Sequence, residues 1–257
     1  MEKKKLEDFE RCIFNIDMVE GFVNIGPMSN KKYNLLVPAQ KEIMDDIREN
    51  GELITFIGEA HSENASEFKN YPPHCEVGTK EAEFISDFNE YLGYVNTLIY
   101  RKNSINGMLN PKLLEDLKMM TNLKEVIFTG VCEDLCVMDF ARTFARYMDA
   151  LNRTVNMFVS SNAVDTFDAE YHNREHWKSV AKEVMESAGI KYVENFEEFV
   201  KINPEEAKQI ALEALIATGV LDENGNAKEQ IVTSSQYIGK EEKAPTKTLT
   251  KPKKNNK

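Results

Sequence analysis

Val126–Val137, reading Val-Ile-Phe-Thr-Gly-Val-Cys-Glu-Asp-Leu-Cys-Val, is the stretch that decides the fold. Its first half is a short apolar, β-branched run closed by Gly130, the pattern of a strand buried on both faces. Its second half leads into Val137, Phe140, Ala141, Phe144, Met148 and Leu151, apolar positions three and four residues apart, which is helical spacing. Cys136 therefore stands where a strand turns into a helix. Free amides and the helix dipole favour a thiolate there, and open α/β sheets bind ligands at the carboxyl ends of their strands. A packing role competes, because free cysteine is among the most buried residue types.

The same alternation recurs on both sides. Arg11–Asp17 and Leu53–Ile57 read as strands separated by a helical stretch from Asn30 to Asn50, and the second runs out into Gly-Glu-Ala-His. Ser62–Gly93 is long, polar and marked by Pro72-Pro73; a loop of that length in a compact domain is usually functional. Thr97–Tyr100 is a third strand, followed by Arg101 and Lys102, and Pro111–Met120 is a helix capped by Asn110. Val155–Val159, a helix over Tyr171–Ala188 and a short strand at Lys191–Val193 complete the series. Six strands alternating with helices predict a three-layer α/β/α sandwich around a parallel sheet, with Rossmann-like topology. That domain is expected to span 1–202. Asn203-Pro204-Glu205 opens a predicted helical extension, 203–239, and the lysine-rich segment 240–257 is expected to be disordered.

Composition excludes several classes. In 257 residues, 42% hydrophobic and 29% charged, no apolar run approaches the roughly 18 residues of a membrane helix. A net charge of −11 argues against a nucleic-acid partner. Cys12, Cys75, Cys132 and Cys136 are too few for a disulfide framework in a chain this long, and C-x3-C without a second pair is no structural zinc site. A cytoplasmic, reduced protein is expected; a homo-oligomer stays open.

Three strand ends carry ionisable groups: Asp17, Lys102 and Cys136. Parallel strands bring their carboxyl ends to one edge, so the three can converge. A cysteine can attack a carbonyl as thiolate, a carboxylate can take its proton, and a lysine can lower the thiol pKa.

Asp17 with Phe22, Lys102, Thr-Gly-Val-Cys-Glu-Asp-Leu-Cys-Val, Pro72-Pro73-His74-Cys75-x-x-Gly-Thr and Asn162-Ala-Val-Asp-Thr-Phe-Asp together resemble the isochorismatase-like cysteine hydrolases over roughly Arg11 to Phe199. The resemblance implies a catalytic triad of Asp17, Lys102 and Cys136. It also implies an oxyanion hole from the backbone amides of Cys132 and Cys136, behind a cis peptide preceding Cys132. Losing one such donor typically costs about 3–4 kcal/mol.

Glu59-Ala-His61 follows a strand, with Glu67 and His74 further on, and two imidazoles with two carboxylates suit a divalent metal: zinc foremost, manganese or iron also. Glu59 or Glu63 could supply the first carboxylate. Within the family this set resembles the nicotinamidase branch, which implies a metal that orients the pyridine ring of nicotinamide, with Phe22 and Tyr71 as the ring's aromatic neighbours. His172 and His176 are assigned to surface or cap roles and Trp177 to packing. The implied activity is hydrolysis of nicotinamide in NAD salvage. The alternatives are a metal-independent hydrolase of ureido or carbamoyl amides, and a catalytically retired binding module.

Overall fold

Strand β1 (Arg11–Ile16) takes the middle of the sheet, between β2 (Leu53–Glu59) and β4 (Glu125–Val131). The structure is a computed structural model that describes residues 3–196 and, beyond them, Ile216, Asp222, Asn224 and Asn226. Strand β3 (Thr97–Lys102) lies beyond β2; β5 (Asn156–Asp165) and then β6 (Lys191–Val193) lie beyond β4. The order is β3-β2-β1-β4-β5-β6, every pairing is parallel, and the α/β fold expected from the alternation is the one formed.

Six α-helices accompany the strands among the described residues: α1 (Glu20–Val23), α2 (Val37–Glu49), α3 (Asn89–Leu92), α4 (Pro111–Met119), α5 (Met138–Ala150) and α6 (Arg174–Glu186). Side-chain alternation along β1 decides what each layer meets. Phe14 faces α5, where its ring lies 5.0 Å from Phe140 and 5.5 Å from Phe144. Phe128 on β4 joins the same aromatic cluster, 5.5 Å from Phe144. Asn15 faces the opposite layer and donates to Gln40 of α2 (3.1 Å) and to Thr129 (3.1 Å). Helix starts follow the capping chemistry: Asn110 Oδ1 accepts from Leu113 N ahead of Pro111, and Asn173 Oδ1 accepts from His176 N.

Several boundaries differ from the sequence expectation. Strand β5 runs on to Asp165: after a register shift opposite Phe128 and Gly130 it pairs again as Gly130 with Val164 and Val131 with Asp165. Polar Ser160, Ser161 and Asn162 interrupt the apolar pattern and hide this continuation. Helix α6 starts at Arg174 rather than Tyr171, because Ala169 and His172 bridge to each other in a turn. The long segment after β2 contains 3₁₀ turns at Ser66–Lys69, Lys80–Ala82 and Ser86–Phe88. Its only strand-like features, among the described residues, are the bridges Val19–Phe84 and His61–Glu76.

The chain divides into two compact units, Met1–Lys201 and Ile202–Lys257. In the second, Asp222 Oδ1 accepts from the amides of Asn224 and Asn226, both at 2.9 Å. The helix expected after Asn203 and the lysine-rich tail lie outside the described residues. Among those residues no helix is long and apolar enough to cross a membrane.

Gly130 closes β4 against β1. Its φ is +116°, and a Cβ there would sit 1.9 Å from the Ile16 carbonyl oxygen. Backbone cannot yield at the centre of a sheet, so Gly130→Ala is expected to lose at least about 3 kcal/mol of stability. Urea unfolding checks this: the midpoint should fall with the slope unchanged, whereas a wild-type midpoint would refute the close approach.

Candidate active site

The strand order changes direction between β1 and β4, and in open α/β sheets the crevice beyond the strand ends at such a point is where ligands bind. Asp17 leaves β1 in the left-handed region (φ +55°), its amide donating to Ile57 O at 2.8 Å. Glu59 and Lys102 end β2 and β3 and are register partners, which sets their side chains together. Cys136 lies in a π-helical turn, Glu133–Val137, between β4 and α5.

Lys102 joins these residues. Its Nζ lies 2.9 Å from Asp17 Oδ2, 2.7 Å from Glu59 Oε1 and 3.7 Å from Cys136 Sγ. All four are buried, Cys136 the most accessible at 6%. Burial works against the Lys102 ammonium, but Asp17, Cys136 and Glu59 outweigh it and hold its pKa well above the usual value. Burial pushes Asp17 up to about 6, against the pull of Lys102. Glu59 goes the other way: burial raises it, but Lys102 prevails and holds it well below the carboxylate range.

The thiol corrects the sequence expectation. A helix start and a lysine were expected to lower the Cys136 pKa, yet burial pushes it well above the ordinary value and Lys102 only partly opposes that. Cys136 also sits inside the turn rather than at the first amides of α5. The resting group is the thiol, and attack on a carbonyl needs a base to receive its proton as the bond forms.

Beside this group, Glu59, His61, Glu67 and His74 present ligand atoms that all lie within 4.8 Å of one another. His61 Nδ1 faces Asn103 Oδ1 at 3.1 Å and His74 Nδ1 faces Pro72 O at 2.8 Å. With Nδ1–H donating to those oxygens, each Nε2 is left with a lone pair, the arrangement usual behind metal-bound histidines. Both Nε2 atoms point at Glu59, His74 at 3.1 Å and His61 at 3.4 Å. His61 Nε2 is buried without a hydrogen-bond partner. Tetrahedral zinc with bonds near 2.0–2.1 Å spaces its ligands about 3.4 Å apart. The orphaned nitrogen, the donor set and its spacing therefore fit a divalent cation. Glu63 is exposed and outside this set, whereas Glu59 lies within it.

Aromatic rings wall this side of the crevice. Phe22 and Tyr71, both expected here, lie 5.5 Å and 6.4 Å from His74. Sequence reasoning missed Phe68, 5.2 Å from His61 and 5.7 Å from His74. It also missed Asn103, whose adjacency to Lys102 was a signal to be had, and Tyr33, whose OH lies 3.5 Å from Cys132 Sγ. The Val131–Cys132 peptide is cis, and Cys132 O accepts from Leu135 N (3.2 Å) and Val137 N (3.1 Å) as the turn opens. His172 was assigned a surface or cap role by sequence; it is buried, with Nε2 2.8 Å from Asp134. It does not pair with His176, which lies at the start of α6.

The isochorismatase domain family matches residues 11–188. Nicotinamidase 1 of Arabidopsis thaliana is 26% identical over 193 residues, covering 68% of this chain and 78% of that protein. The crystal structure of a pyrazinamidase of Pyrococcus horikoshii in complex with zinc superposes with a TM-score of 0.58 at 26% identity, covering 72% of this chain and 98% of the other. The N-carbamoylsarcosine amidase of Thermoplasma acidophilum gives 0.57 at 19% identity, over 72% and 95%, a likeness of fold alone.

Replacing Lys102 by Met should leave Asp17 and Glu59 buried without their shared cation. Breaking a buried ion pair from one side costs about 3–5 kcal/mol, and chemical unfolding of Lys102→Met should show a loss of that order. An unchanged midpoint would mean that the carboxylates do not depend on the ammonium.

Proposed function

The chain belongs to the isochorismatase family, and from that premise we propose that this hydrolase converts nicotinamide to nicotinate and ammonia through a thioester on Cys136. One observation carries the choice of substrate: a four-residue donor set with an orphaned imidazole nitrogen stands next to the Asp17, Lys102 and Cys136 group, sharing Glu59 with it. A carboxamide alone needs no such neighbour. A carboxamide on a ring with its own nitrogen does.

Glu59, His61, Glu67 and His74 would hold the divalent ion, zinc foremost, and the ion would supply a Lewis-acid contact for the pyridine nitrogen. Phe22, Tyr71 and Phe68 offer faces and edges for the ring. Asp17 takes the Cys136 proton as the sulfur attacks the carboxamide carbon, and passes it to the departing ammonia. Lys102 keeps Asp17 charged and oriented through the 2.9 Å contact. The amides of Cys132 and Cys136 face the developing oxyanion. Asp17 then takes a proton from the water that cleaves the thioester, regenerating the thiol. The physiological role this reading implies is NAD salvage. The four free cysteines accord with a cytoplasmic, reducing setting.

Purified, zinc-loaded protein should release ammonia from nicotinamide, and Cys136→Ala should release none. Asp17→Asn, which keeps the shape and loses the base, should lower kcat by about 10²–10⁴-fold. No release by the folded, metal-loaded chain would overturn the substrate assignment. Hydrolysis of a ureido or carbamoyl amide by metal-free protein would transfer it to that class.

Zinc should bind stoichiometrically. Asn103→Ala, which removes the acceptor behind His61, should weaken binding by about 10–100-fold in competition with a chromophoric chelator. Wild-type affinity in that variant would contradict the histidine orientation assigned here.

A further inference from the structure

The turn that carries Cys136 also carries two consecutive buried carboxylates, Glu133 (2% exposed) and Asp134 (3%). Neither touches the metal-binding set, and neither has a part in the chemistry above. Two adjacent buried carboxylates in the turn that carries the sulfur are costly unless outside donors hold each of them. Those donors come from later in the chain. Lys178 of α6 and Tyr192 of β6 (2.9 Å) hold Glu133. Thr166 Oγ1 donates to Asp134 Oδ1, and His172 Nε2 lies 2.8 Å from Asp134 Oδ2.

His172 is itself fixed in every direction. Its Nδ1 lies 3.1 Å from Phe167 O. Phe167 stacks on it at 3.8 Å between centroids with planes 15° apart, and Trp177 stacks at 5.4 Å with planes 9° apart. A surface histidine needs no such housing. The contacts run from this aromatic stack through His172 to Asp134, and along two residues of a π-helical turn to Cys136. Turns of that kind are rare and often mark functional sites.

We propose that His172, acting through Asp134, is a positioning residue that fixes the Cys136 turn in register with Asp17 and Lys102. The role rests on the reading of Cys136 as nucleophile. It needs no particular substrate. Released from His172, Asp134 gains by turning toward water, and the turn that bears the sulfur moves with it. A displacement near 1 Å at a reacting group can cost about 10²-fold in rate.

His172→Phe keeps a ring between Phe167 and Trp177 and removes the donor to Asp134. In the full-length, zinc-loaded chain, kcat for nicotinamide should fall by about 10²-fold, while KM stays close to wild type. Hydrogen exchange read by mass spectrometry should rise at least about tenfold in the peptide spanning 131–138 and stay unchanged in β1. His172→Gln, which restores an N–H donor, should recover part of the loss. A folded His172→Phe with wild-type kcat, or with exchange at 131–138 unchanged, overturns the proposal, as does a rise spread evenly over the core. If His172→Phe does not fold, Thr166→Ser and Thr166→Val replace it. Ser should behave as wild type and Val should lose kcat, and equal rates overturn the clamp. Should wild type release no ammonia from nicotinamide, the substrate assignment falls, and the exchange comparison still decides the role of His172.

Discussion

A single buried ammonium holds the site together. Lys102 Nζ sits within 3 Å of carboxylates from two other strands, Asp17 and Glu59, and 3.7 Å from the Cys136 sulfur. Unpaired, each of these ions would cost several kcal/mol to bury. Together they are tolerable, because one cation faces two anions at close range. Lysine suits this place because its compact charge takes several partners from different directions, where a planar guanidinium would prefer one paired edge.

That arrangement is possible only because the strands are parallel and in this order. Register sets Glu59 beside Lys102, and the close approach at Gly130 brings β4, and with it the Cys136 turn, against β1. Glu59 then belongs to two groups at once. One oxygen faces the lysine, and the other faces His74. In the proposed reaction this one carboxylate would join cation binding on one side to proton transfer on the other.

Much of this was legible in the sequence, and the reasons are physical. Strands β1, β2 and β4 are buried almost throughout, so they stand out as largely apolar runs; the strand-end residues Asp17, Glu59, Lys102 and Cys136 could be placed by topology without coordinates. What stayed hidden depended on three-dimensional environment. Burial depth cannot be read from a local stretch, so the direction of the Cys136 shift was misjudged: a lysine neighbour is visible in sequence and the loss of solvent is not. Strand β5 was cut short because its continuation is polar and enters after a register shift. Phe68 lies in a loop whose turns follow no periodicity, and His172 was assigned a surface or cap role because its partner, Asp134, is 38 residues away.

The most direct test of the account is the covalent state of Cys136 during turnover. Zinc-loaded protein mixed with nicotinamide, quenched in acid within the first turnovers and digested, should give a nicotinoyl thioester on the peptide containing Cys136, seen by mass spectrometry. The adduct should be absent from Cys132 and Cys75 and should disappear as substrate is exhausted. Ammonia released at full rate with no acyl group on Cys136, or release that survives Cys136→Ala, would contradict a cysteine nucleophile and with it the role given to the lysine-centred cluster.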